Sequence, residues 1–95
     1  MTEQEFMAAR WLAMRTKRPD TAFALIVALC CFPDCSQPSL LANLIGADRT
    51  AISEVARQLE DMGALDRTWS VAESDRAMEH GRFRYFTLPR NWAGA

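Results

Sequence analysis

A mainly α-helical fold closed by a small β-hairpin is what this 95-residue sequence predicts, and three observations carry that expectation. Apolar residues recur at helical spacing through the first two thirds of the chain. Gly46 and Gly63 stand where two of those helices should stop. The last third changes period, with two short runs, Leu65 to Val71 and Arg82 to Leu88, that alternate as strands do around a polar loop.

The stretch SQPSLLANLIGADRTAISEVARQLEDMGALDR, residues 36–67, organises the rest. Ser36 suits an N-cap, and Pro38 falls in the first turn, where its missing N–H leaves no intrahelical bond unmade. Leu40, Leu41, Leu44 and Ile45 follow at helical spacing, and Gly46 ends that helix at the residue type that accepts a left-handed conformation without penalty. Asp48 can cap the next helix. There Ile52, Val55, Ala56, Leu59 and Met62 repeat at i, i+3, i+4, i+7 and i+10, a single stripe to be buried. The opposite face carries Arg49, Thr50, Ser53, Glu54, Arg57 and Asp61. Met62-Gly63-Ala64-Leu65 then supplies a second glycine stop and the entry to a strand.

Ahead of this unit, residues 3–17 form an amphipathic helix with Phe6, Met7, Trp11 and Met14 on one stripe, suited to packing on its own domain or on a second copy. The next helix runs from Thr21 to about Phe32 with Asp20 as its cap. It is apolar almost all round, which predicts burial on more than one face, with Phe23, Ile26, Val27 and Cys30 in the core. Pro33-Asp34-Cys35 is a short connection. After the second glycine stop, Leu65, Arg67, Trp69 and Val71 share one face of the first strand. In the second, Phe83 and Tyr85 share a face opposite Arg82 and Arg84. Pro89 stops the ladder, and Asn91-Trp92 is placed to fold back onto the domain.

The helix–turn–helix running into LEDMGALDR resembles the winged helix-turn-helix domains of bacterial regulators of the MarR and PadR kind, in which a recognition helix ends in a Leu-Glu-x-x-Gly-x-Leu-like run before a β-wing. GRFRYFTL, residues 81–88, is similar to the second wing strand of the same families. The match covers about a third of the chain, and with the hairpin about half. It implies one winged helix-turn-helix domain over residues 1–95, with 36–62 as the helix–turn–helix and 64–88 as the wing; residues 3–17 are an extra N-terminal helix, expected from its own Trp/Met stripe to serve dimerisation. It also implies sequence-specific binding of double-stranded DNA, as a small dimeric transcriptional regulator such as a repressor, or as a plasmid- or phage-type factor. No long helix follows the wing, a departure from those families, where such helices complete the dimer. Winged helices also serve as protein-docking modules, so an inhibitor or adaptor that binds a protein partner is the alternative.

A helix that enters the major groove needs short or hydrogen-bonding side chains near its N-terminal end, with Arg where guanine or phosphate is met. Arg49, Thr50, Ser53 and Arg57 fit, with Arg82 and Arg84 on the wing. Glu54 fits less well: it can accept from cytosine N4, pair with Arg57 or Arg49, or mark a helix that does not read DNA. A net charge of −1 counts against non-specific nucleic-acid binding. From Asp48 to Asp66 five acids meet two Arg, whereas from Arg76 to Arg90 four Arg meet one Glu, so any positive surface is local.

Other chemistries lack their residues. No nucleophile stands beside an acid/base pair, no glycine-rich phosphate loop occurs, and His80 reads as a solvated loop residue, so no enzyme and no cofactor are expected. Cys30, Cys31 and Cys35 are an odd count without a recognised zinc spacing and read as buried or half-buried thiols. The longest apolar run, Ala22 to Phe32, is about half of a membrane span. With no basic-then-apolar leader at the start of the sequence, a cytoplasmic protein is expected.

Overall fold

The computed structural model describes residues 1–32, 37–70 and 83–94. Among these described residues, four helices precede a two-stranded antiparallel sheet: α1 (Glu3–Ala13), α2 (Pro19–Cys31), α3 (Pro38–Ile45), α4 (Arg49–Asp61), β1 (Asp66–Ser70) and β2 (Phe83–Thr87). The strands pair from Asp66 opposite Thr87 to Ser70 opposite Phe83. The expected loop, residues 72–81 with His80, lies outside the described residues.

α1 starts with a reciprocal cap. The Thr2 hydroxyl accepts from the Glu5 N–H at 3.0 Å while Glu5 Oε1 accepts from the Thr2 N–H at 2.9 Å. The helix stops four residues short of the expected Lys17. The chain after Met14 turns away: locally the Thr16 hydroxyl donates to the Ala13 carbonyl at 2.7 Å, and a tertiary partner, Gln58 Oε1 of α4, takes the Lys17 N–H at 3.0 Å. α1 buries Ala9, Leu12 and Ala13 against α2, and leaves the stripe of Phe6, Met7, Trp11 and Met14 between 44 % and 66 % exposed. Small residues allow the closer approach to α2, so the larger side chains stand on the outside. Arg15 lies 3.4 Å from the centre of the Trp11 ring, and Phe6 meets Phe23 edge to face at 5.4 Å.

α2 begins one residue before the expected cap. Pro19 takes the first helical position, where its fixed φ is already helical, so Arg18 is the capping residue and Asp20 sits inside the first turn, near the positive end of the helix dipole. α1 covers one side of α2 while α3 and α4 cover another. The buried residues are Ala22, Leu25, Ile26, Ala28 and Leu29, which corrects the expected set: Phe23, Val27 and Cys30 are only partly buried. A helix apolar on every side carries no periodicity to say which side faces in.

The Cys30 thiol donates to Glu5 Oε2 at 3.2 Å. Burial, then this hydrogen bond and the carboxylate charge, push the Cys30 pKa up. Glu5 is held below the usual carboxylate range, first by the Thr2 N–H and then by Cys30. Cys31 is exposed, against expectation, and Cys35 lies outside the described residues. In a Cys35→Ala variant at pH 8, iodoacetamide should therefore modify the exposed Cys31 before the half-buried, Glu5-bonded Cys30. Equal rates, read by peptide mass mapping, would contradict the Glu5–Cys30 contact.

α3 begins at Pro38 behind Gln37, which makes no side-chain cap bond; the expected cap, Ser36, lies outside the described residues. Of its apolar residues only Leu41 is fully buried, Ile45 is partly so, and Leu40 and Leu44 stay exposed. Gly46 ends it at φ 70°, and the N–H groups of Gly46 and Ala47 both return to the Ala42 carbonyl. α4 follows at once, capped by the Asp48 carboxylate on the Ala51 N–H at 2.8 Å. Ile52, Val55, Ala56 and Leu59 are buried as their spacing predicts, whereas Met62, beyond the helix, is partly exposed. Gly63 at φ 75° turns the chain so that Leu65 enters the core ahead of β1. From β2 the core aromatic is Phe86, a residue the alternation had not singled out, and Trp92 packs partly buried against the same core.

Among the described residues no helix is long and apolar enough to cross a membrane.

Candidate nucleic-acid interface

The exposed side of α4 is built by the same periodicity that builds its buried side. At about 100° per residue, a core stripe of Ile52, Val55, Ala56 and Leu59 leaves Thr50, Ser53, Arg57 and Asp61 facing away from the core, with Arg49 in the first turn. Arg49, Thr50, Ser53 and Arg57 are all exposed, so the structure brings these four expected residues together on one surface. The Asp48 cap fixes where this surface begins.

The hairpin residues are placed differently. Arg84 lies in β2 opposite Trp69 of β1, and Arg82 lies outside the described residues. β1 packs beside α4, so the hairpin adjoins that helix.

Two acids of α4 sit at the margins of the exposed face, and each meets an arginine from another part of the chain. Glu54 does not pair with Arg49 or Arg57 as expected; its Oε2 accepts from Arg18 Nε at 3.2 Å, across from the α1–α2 connection. Glu60 Oε1 accepts from Arg67 of β1, from Nη2 at 2.8 Å and from Nε at 3.1 Å. These pairs are half exposed and worth at most about 1 kcal/mol each to stability. Each pair offsets one carboxylate beside the strip, while Asp61 stays exposed at the end of the same face. The central strip from Thr50 to Arg57 is thus flanked by two ion pairs instead of two bare carboxylates.

Arg18 and Arg67 were missed by sequence reasoning. Arg18 is 36 residues from its acid, and no local pattern marks it. Arg67 lies seven residues from Glu60, across a glycine stop. Among the described residues no group of three or more His, Cys, Asp or Glu side chains is placed to hold a metal ion. Compared with known proteins, the chain matches no family model, no curated protein and no solved structure.

Proposed function

We propose that this chain is a winged helix-turn-helix domain that binds double-stranded DNA sequence-specifically in the cytoplasm, as a dimeric regulator of transcription. In this reading α3 and α4 are the helix–turn–helix, α4 enters the major groove, and the hairpin is the wing that meets the backbone. The observation that carries it is the exposed strip of Arg49, Thr50, Ser53 and Arg57 on a helix whose marginal acids are both paired. Thr50 and Ser53 are short enough to let the helix approach base edges, and either arginine can read guanine through two donors. The glycine-ended α3 and the Asp48-capped α4 give the tight junction that such a unit needs.

Fluorescence anisotropy on duplexes from the chain's own genomic neighbourhood tests this. Each phosphate contact should add about −0.9 to the slope of log affinity against log salt. Arg84→Ala should weaken all duplexes about equally and flatten that slope by about one unit. Arg49→Ala or Arg57→Ala should instead cost roughly 1–3 kcal/mol on the preferred site and relax specificity there. Absence of any salt-dependent binding would end the DNA reading, and the strip would pass to a protein partner.

The dimer is proposed through α1. Its exposed Met7, Trp11 and Met14 line an open groove of about 440 Å³, and Met14 also borders one of about 600 Å³ towards the start of α2, a shape that a second copy can match ridge into groove. Charge supports an antiparallel pairing, since Glu3 stands at one end of α1 while Arg15 and Lys17 follow the other. Such a pairing sets Met7 against Trp11 of the second copy and brings opposite charges together at both ends.

A further inference from the structure

We infer that Arg18, carried by the α1–α2 connection, is a phosphate contact of the same DNA-binding surface, and that Glu54 is the residue that positions it; this rests on the DNA reading of α4. The connection is pinned rather than loose. Thr16 is buried with its hydroxyl on the Ala13 carbonyl, the Arg15 guanidinium donates to the Trp11 carbonyl at 2.9 Å, and the Lys17 N–H is held by Gln58 of α4. Pro19 restricts the backbone of Arg18 from the other side.

What remains free is the outer end of the Arg18 side chain. Only Nε meets Glu54, the side chain is 51 % exposed, and among the described residues the two terminal nitrogens have no other partner. A guanidinium held at Nε still offers its Nη donors in a fixed plane, an arrangement suited to a phosphate oxygen. Glu54 lies one turn after Thr50 and three residues before Arg57, at the edge of the exposed strip. A helix seated in a major groove about 12 Å wide has a phosphate backbone passing along each flank. Arg18 stands on one of those flanks. The glutamate that looked out of place on a DNA-reading helix thereby acquires a role, holding a cation where the backbone would run.

Salt titrations of Arg18→Ala and Glu54→Ala on the duplexes bound by the wild type decide the matter. Arg18→Ala should weaken every duplex alike, flatten the salt slope by about one unit, and cost about eightfold in affinity at 0.1 M salt while costing nothing near 1 M. Arg18→Lys, which keeps the charge, should restore most of the slope. Glu54→Ala removes a negative charge from a surface facing a polyanion, so a merely repulsive Glu54 predicts tighter binding. The positioning role predicts weaker binding, and tighter binding only when Arg18 is already Ala. A wild type that binds DNA while Arg18→Ala keeps its affinity and slope, or while Glu54→Ala alone binds more tightly, overturns this inference and leaves the DNA reading standing. A wild type that binds no DNA overturns both.

Discussion

Leu59→Ala is expected to lower the free energy of unfolding by about 2–5 kcal/mol, and Ile52→Ala by a similar amount. Both side chains are fully buried in the apolar core on α4, which packs against α2 and α3. Truncation removes apolar contact and leaves a cavity whose walls belong to three helices that cannot all relax together. A domain of this size has a total stability of about 5–15 kcal/mol, so either change takes a large share of it. Met62→Ala is the control, because that side chain is 38 % exposed and should cost less than about 1 kcal/mol. Urea denaturation read by tryptophan fluorescence checks all three, and a loss below about 1 kcal/mol for both core variants would show that the α4 stripe does not carry the core.

Trp11→Glu combined with Met14→Lys should convert the proposed dimer to a monomer and lower affinity for a two-half-site duplex by about 10²-fold or more, since the second half-site is then no longer bound intramolecularly. Both residues are more than half exposed, so the fold should survive and the melting curve should barely move. This distinguishes the experiment from deleting residues 3–17, which would also uncover α2 by removing Ala9, Leu12 and Ala13. Light scattering of the wild type at high micromolar concentration provides the reference mass. A monomeric wild type would remove the proposed dimer, whatever single sites the protein binds.

Much of the fold was legible because its signals are local. The bounds of α4 follow from Asp48, Gly63 and a 3.6-residue stripe, and all of these lie within the helix or next to it. The end of α3 at Gly46 is legible for the same reason. The four candidate residues of α4 are the complement of its buried stripe, so finding one face located the other. The misses are non-local or ambiguous. At the start of α2, Asp20 looked like a cap, but a proline one residue earlier had already set the helical φ. α1 lost its last turn because Lys17 found a partner 41 residues away on α4.

The sequence by itself determined the order and type of the elements, the turn between α3 and α4, and the polar strip on α4, because each depends on residues within a few positions of one another. Only the tertiary structure decided which side of the uniformly apolar α2 faces the core, and that the large apolar residues of α1 remain outside while its alanines pack within. It also decided the charge of the α4 surface, since Arg18 and Arg67 reach Glu54 and Glu60 from other elements. Periodicity reports whether a residue shares a face with its neighbours in the chain. Which face is covered, and which charge is met there, depends on side chains that become neighbours only when the helices pack.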